Sequence, residues 1–412
     1  MGSKTVLLLG AFDTKGEDYA YVEQLVLSRG HRVLKVNFGT FSAEQDASWD
    51  YGPGDVAAAA GFTLEELHAR NDRGHAMTVM SRGAAALVRK LYSEGQFHAI
   101  LGMGGTGGSS VISAAMRELP IAVPKVLVST AASGDTSAMV GTRNIVLVPS
   151  VVDIAGINRI SEEVYRQAAG AVCGMIEMEA ANNTAEVSKP VIAVTMFGNT
   201  TKCVERCRER LTALGYEVLV FHCTGTGGRT MEGLVEDGLV EAVLDITTTE
   251  LADELCGGVF TAGPTRLEAA GKKGVPHLIV PGCLDMVNFG PVETVPEAYR
   301  DGKLVVWNPT VTLLRTNPEQ NAELGRMMAG KANRAQGPVR FMIPLRGWSI
   351  LDSPGNEFWW PEADAALISA LKEHLRPGIP LTELDMNIND DAFADQAVDQ
   401  LLEMIKEREN HV

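Results

Sequence analysis

The chain runs to 412 residues, 45% hydrophobic and 21% charged, with a formal net charge of −16. Its length exceeds what one hydrophobic core usually serves, so two domains are expected, and its composition is that of a globular protein, not a disordered one. The acidic balance argues against a nucleic-acid or anionic-membrane partner, both of which need clustered Lys and Arg.

A phosphate ligand stays open despite that charge, because screening acts over roughly 8 Å at physiological salt while backbone donors work in direct contact. The six cysteines show no zinc-site spacing and read as reduced thiols of a cytoplasmic protein. The first apolar run, Thr5 to Leu9, is too short for a membrane span and passes straight into a charged turn, so it reads as a buried strand and not as a signal peptide.

In chain order, residues 4–41 predict strand, turn, helix and strand. The turn, Gly10 to Gly16, carries Asp13, Thr14 and Lys15 at the strand's carboxyl end, where ligands of open α/β sheets bind. Lys15 suits a phosphate there and Asp13 a metal ion; the alternative is that Asp13 or Thr14 caps a helix beginning at Glu17. Residues 41–76 read as an excursion with a short helix, and a helix from Met77 to Glu94 follows.

Residues 98–119, HAILGMGGTGGSSVISAAMREL, read as strand, glycine turn and helix. Such a turn brings bare backbone to a ligand, and the first N–H groups of the helix point out unpaired. Gly102, Gly104 and Gly107 fit the dinucleotide pattern, without the acidic residue that should close the next strand; Gly102, Gly107, Gly108 and Ser109 fit the P-loop pattern, without its lysine. We expect an anion cradle formed by Gly104, Gly105, Thr106, Gly107, Gly108, Ser109 and Ser110. The alternative is a turn whose glycines only let helix and sheet pack closely. The next strand, Lys125 to Ser129, ends in Ser129 and Thr130, which face either a polar ligand or their own loop. A strand at Ile145 to Val148 and a helix at Ser161 to Ala181 precede a polar linker at 182–189, which sets a boundary between domains 1–183 and 184–412.

After the linker the opening is echoed: Gly30 and Gly215, Val33 and Val218, and Thr14 and Asn199 share one offset, which predicts two domains of one topology. A second cradle, Gly225, Thr226, Gly227 and Gly228, precedes a helix expected at Met231 to Asp237, and Arg229 beside it offers a bidentate positive group or a solvated first-turn residue. Strands are expected at Ala242 to Ile246, His277 to Val280 and Val339 to Ile343, and helices at Glu319 to Lys331, Pro361 to Leu375 and Asp390 to Glu409. Asp285 follows one strand end as a catalytic or metal-binding carboxylate or a cap; Arg346, Ser349 and Asp352 follow another, where a carboxylate-bearing substrate could be held.

The motifs GAFDTKGEDY, LGMGGTGGSS, MFGNTTKCVERCRERL, CTGTGGRTME, PGCLDMVNFGP, RTNPEQNAELG and PLRGWSILDSPG, in this order, resemble a family of largely uncharacterised bacterial and fungal proteins that shares the amino-terminal ATP-binding domain of a tomato inhibitor of tobamovirus RNA replication. The resemblance covers essentially the whole chain. It implies two Rossmann-like, doubly wound α/β domains with mainly parallel sheets, ATP and Mg²⁺ held near a cleft between them, and a homodimer. Phosphate binding at Gly104 to Ser110, with Asp13, Thr14 and Lys15 nearby and Gly225 to Gly228 opposite, is what the resemblance carries over. The expected function is therefore nucleotide binding with turnover of a small polar metabolite, positioned by Arg229, Arg346 or Asp285. The alternatives are a nucleotide-dependent binding module without turnover and a sugar-acid isomerase or lyase that does not use ATP.

Overall fold

The computed structural model describes residues 2–40, 49–179 and 189–410. The expected linker, apart from Lys189, and residues 41–48 of the expected excursion lie outside them. The chain divides into two units, Met1–Glu186 and Val187–Val412.

Unit 1 comprises β1 (Thr5–Gly10), α1 (Phe12–Ser28), β2 (Arg32–Asn37), α2 (Pro53–Ala59), α3 (Leu64–Arg70), α4 (Arg73–Ser93), β3 (Ala99–Gly104), α5 (Thr106–Arg117), β4 (Lys125–Ser129), α6 (Ser137–Val140), β5 (Val146–Pro149) and α7 (Arg159–Glu179). The five strands form one parallel sheet in the order β2-β1-β3-β4-β5. Alternate residues of β1 serve opposite faces, as the two-residue period of a strand requires: Leu7 and Leu9 pack with α4 and α5, Val6 and Leu8 with α1 and α7. Apolar residues on both faces explain why the strands read as unbroken runs. Among its described residues the excursion carries two short helices, α2 and α3, instead of one, α3 being opened by a capping box in which Thr63 and Glu66 exchange bonds.

Unit 2 comprises β6 (Val191–Met196), α8 (Thr201–Ala213), β7 (Glu217–His222), α9 (Thr226–Glu236), β8 (Ala242–Thr247), α10 (Glu250–Cys256), α11 (Ala269–Lys273), β9 (His277–Gly282), β10 (Met286–Phe289), β11 (Leu304–Asn308), β12 (Val311–Arg315), α12 (Pro318–Asn333), β13 (Val339–Pro344), α13 (Pro361–His374), β14 (Leu381–Leu384) and α14 (Asp391–Glu409). Six strands form a parallel sheet ordered β14-β13-β9-β8-β6-β7. Helix α14 closes this unit, burying Phe393, Val398, Leu401 and Met404 against the sheet.

Both units are Rossmann-like, and the echo holds at Gly30 and Gly215, whose φ of 80° and 94° close the first helix of each unit. Two features depart from expectation. An antiparallel sheet, β10-β12-β11, is inserted after β9. Both glycine segments are also more helical than expected: α5 begins at Thr106 and α9 at Thr226, so most of each cradle is the first turn of a helix. Among the described residues no helix is long and apolar enough to cross a membrane.

Candidate functional site

In unit 1 the second strand in sequence, β2, lies on one side of β1, and the third, β3, on the other. Crossovers therefore leave in opposite directions from β1 and β3, and a crevice opens outside their carboxyl ends. Tyr19 of α1 fills the divergence. Its hydroxyl oxygen accepts from Met103 N–H (2.6 Å) and its proton is directed at Leu9 O (2.6 Å). Gly10 is required here, since a Cβ would stand 2.2 Å from the Tyr19 ring. Burial pushes the Tyr19 phenol far above its usual range, so it stays a neutral strut.

The glycine segment begins at this crevice, and its five glycines divide by physical role. A Cβ on Gly102 would come within 2.4 Å of Ile112 Cγ2, and one on Gly104 within 3.0 Å of the Gly108 carbonyl carbon, so these two allow α5 to lie on the sheet. Gly105, Gly107 and Gly108 meet no such limit. Their nearest neighbours would be Thr130 Oγ1 at 3.8 Å, Met77 Cε at 3.5 Å and Phe38 Cζ at 4.0 Å, and none has a positive φ. Gly105 is the N-cap and supplies no side-chain acceptor, while the first α-helical bond runs from Ser109 N–H to Gly105 O (2.8 Å). Among the described residues the N–H groups of Thr106, Gly107 and Gly108 thus have no acceptor, with exposed Thr106 and Ser110 hydroxyls beside them. Ser109 differs from expectation, and Ser129 takes the second of its two expected readings, accepting from Ala131 N–H of its own loop (3.1 Å). Their hydroxyls are buried and bonded to each other at 2.7 Å, and Ser109 Oγ also reaches Gly104 O (3.0 Å), so they tie the cradle to β4 and do not face outward. Thr130 is exposed at the rim.

Asp13, Thr14 and Lys15 occupy the first turn of α1, not a free turn, and the helix breaks at Lys15 (φ −133°, ψ 21°). Thr14 Oγ1 donates to Ala11 O (3.4 Å) and Lys15 Nζ to Ile154 O (2.5 Å). The Asp13 carboxylate packs on the backbone of Gly39, where a Cβ would come within 2.2 Å of its Oδ1.

The cradle of unit 2 is occupied by the protein itself. Gly225 N–H (2.8 Å) and Gly228 N–H (3.1 Å) both donate to Oε1 of buried Glu250, whose Oε2 accepts from Arg266 Nε (2.7 Å). Arg266 also forks onto Asp245 with two bonds of 2.6 Å. Burial opposes ionisation of Asp245, but the guanidinium wins and holds its carboxyl well below the usual range. A Cβ on Gly227 would strike His222 O at 1.9 Å and one on Gly228 would strike Glu250. Gly225 and Gly228 therefore spend their N–H groups on an internal carboxylate, which leaves only those of Thr226 and Gly227 without an acceptor among the described residues. The topology supplies the reason: this segment follows β7, an edge strand, whereas the first cradle follows β3. The true counterpart in unit 2 is the end of β8, Thr247-Thr-Thr-Glu250, where the crevice beside β6 is bridged by the Thr200 and Thr247 hydroxyls at 2.7 Å.

Arg229 Nη1 donates to Thr261 O (3.1 Å), and exposed Arg346 forks onto exposed Asp385 at 2.7 and 2.8 Å. Asp285 is buried, accepting from Ser349 Oγ (2.8 Å), with its other oxygen unpartnered. Burial and the neighbouring Asp352 raise its carboxyl to about 7. Asp364 is raised to about 8, again by burial and then by Asp352, although Arg315 Nη2 donates to it (2.6 Å). Three buried carboxyl groups thus share one guanidinium. Sequence reasoning missed Arg315 and Asp364 because they are 49 residues apart; neither belongs to a local motif. No group of three or more His, Cys, Asp or Glu side chains among the described residues could hold a metal ion.

Residues 4–181 match the N-terminal domain, and residues 189–405 the C-terminal domain, of the Uncharacterised protein family (UPF0261). The chain belongs to the UPF0261 family. A UPF0261 protein of Clostridium tetani is 44% identical over 405 residues, covering 98% of this chain and 100% of that protein. The ToMV resistance protein Tm-1(GCR237) of Solanum lycopersicum is 38% identical over 429 residues, covering 100% of this chain and 57% of that protein. The resemblance carried by the seven motifs is thereby confirmed. Among solved structures, UDP-GlcNAc 2-epimerase of Methanocaldococcus jannaschii, in complex with UDP-GlcNAc and UDP, aligns with 10% identity and a TM-score of 0.23 over 67% of this chain and 83% of that one. A likeness that faint carries no argument about ligand. In UPF0261 terms, the open cradle belongs to the N-terminal domain and the carboxylate-filled one to the C-terminal domain.

Proposed function

We propose that this UPF0261 protein binds the polyphosphate of a nucleotide, ATP with Mg²⁺, at the start of α5. One observation carries the proposal: Gly105, Gly107 and Gly108 are glycines that neither packing nor backbone conformation requires, placed where three helix N–H groups have no acceptor. Glycine in a helix costs up to about 1 kcal/mol relative to alanine, and this cost is explained if a ligand must lie against the backbone. The donors and the positive end of α5 favour an anion. Net charge does not oppose it, since these contacts are direct.

For Mg²⁺ we assign Asp13 as the protein ligand. The support is its place at the carboxyl end of β1, against Gly39 in the segment that also brings Phe38 toward Gly108. Mg²⁺ keeps most of its water and shares phosphate oxygens, so one protein carboxylate is enough. It would neutralise phosphate charge, as the missing P-loop lysine does elsewhere. Lys15, with one proton on Ile154 O, retains donors for a phosphate oxygen.

A role in turnover of a small polar metabolite draws support from Asp285, whose carboxyl near 7 suits general acid–base work and whose Oδ1 has no partner. Calorimetry tests the binding proposal. ATP should bind more tightly than inorganic phosphate and more tightly with Mg²⁺ than without, and Gly107→Val should weaken ATP at least about tenfold, equivalent to about 1.4 kcal/mol, with the fold intact. Full affinity in a folded Gly107→Val protein would remove α5 from the site.

A further inference from the structure

A pocket of about 570 Å³ in unit 2 lies between the β11–β12 hairpin, the start of α12 and the segment before α13, away from every group used above except Arg315. That volume suits a small molecule. Its lining includes the aromatic residues Tyr299, Trp359 and Trp360. The segment carrying the indoles is clamped from below. Arg315 Nε donates to Phe358 O (2.6 Å) and its Nη2 to Trp360 O (3.3 Å), while the remaining guanidinium protons go to Thr316 and Asp364. The pocket is therefore held in shape by a buried fork whose donors are all spent.

The polar groups left over have one character. Asn317 and Gln320 cap α12 by using their side-chain oxygens, at 2.9 and 2.8 Å, so their NH₂ groups remain to be satisfied. The indole N–H groups of Trp359 and Trp360 make no hydrogen bond within the described residues, and Lys303 makes no ion pair there. Against five donor side chains the lining offers a single carboxylate, Asp301, which is exposed at the rim. Aromatic walls with a surplus of donors select a flat molecule rich in acceptors.

We propose that this pocket binds a planar aromatic or heteroaromatic anion, with its ring against the indoles and its carboxylate on Lys303. Lys303 immediately precedes β11 and is the cationic residue of the lining whose charge no ion pair among the described residues takes up. The site is in unit 2 and is independent of phosphate binding in unit 1.

Calorimetry on the full chain with three isosteric probes tests this: 2-naphthoate, 2-naphthamide and 2-naphthylmethylammonium. Naphthoate should bind at least tenfold more tightly than the other two. Lys303→Ala should abolish that preference while leaving the amide's weak binding unchanged, and Trp359→Leu should weaken all three. Lys303 is exposed, so its variant should show an unchanged melt; Gly107→Val should bind naphthoate as the natural chain does. Absence of naphthoate binding, equal or tighter binding of the amide or the ammonium, or an unaltered preference in Lys303→Ala would each overturn the proposal.

Discussion

Gly108 separates the two explanations of a glycine-rich turn. If glycine served packing there, alanine would destabilise; the nearest atom to its Cβ is 4.0 Å away, so alanine should fit and stabilise α5 by up to about 1 kcal/mol. We expect Gly108→Ala to melt a few degrees higher and to bind ATP more weakly, and thermal unfolding with and without ATP measures both. Asp285 offers a second test at this scale. A carboxyl raised to about 7 takes up a proton on folding, so its stability contribution is greatest below its unfolded value near 4 and is lost as pH rises through 7. Asp253, raised to about 7 by burial, and Asp364 act in the same direction. Melting temperature should therefore fall between pH 5 and 8, and Asp285→Asn should flatten that fall; an unchanged slope would show that Asp285 ionises freely. The residues of the first cradle were legible because glycine, serine and threonine are contiguous there. Which glycines serve packing was not, since that depends on Ile112 and Met77, which meet the cradle only in three dimensions.

Among elements, the contrast between α5 and α9 matters most. Each begins in a glycine run, yet Glu250 at the start of α10 takes two amides of one, those of Gly225 and Gly228, while no acceptor among the described residues takes those of Thr106, Gly107 and Gly108 in the other. Glu250→Ala would leave Arg266 short of a partner and two buried N–H groups unpaired, which costs about 3–5 kcal/mol. We expect a large loss of stability in unit 2 by chemical denaturation and no change in ATP affinity. A fall in ATP affinity would reinstate Gly225–Gly228 as a ligand site. Sequence spacing could not separate the two runs, because a strand's place in the sheet decides whether its loop borders a crevice, and that place is set by pairing between β8 and β6. The strands themselves were legible from apolar runs buried on both faces. The β11–β12 hairpin was missed although Asn308-Pro309 marks a turn there, because its strands are short and β11 leaves Val306 and Trp307 exposed.

For the whole molecule, two sheets begin alike, and each carries a first helix ending at a left-handed glycine, but the matching strand ends are bridged differently, by the Tyr19 hydroxyl between β1 and β3 in unit 1 and by the Thr200 and Thr247 hydroxyls in unit 2. The proposed division of labour is phosphate in unit 1, and the aromatic-lined pocket and buried acids in unit 2. A ligand that binds only unit 1 stabilises that unit by about 2.7 kcal/mol at a hundredfold excess over its Kd. Backbone amide exchange resolved by residue, with and without ATP and Mg²⁺, is the most direct test. Strong new protection confined to Thr106, Gly107, Gly108 and their neighbours in unit 1 is the expected result. Protection at Gly225 to Gly228, or none at the start of α5 under saturating nucleotide, would contradict it.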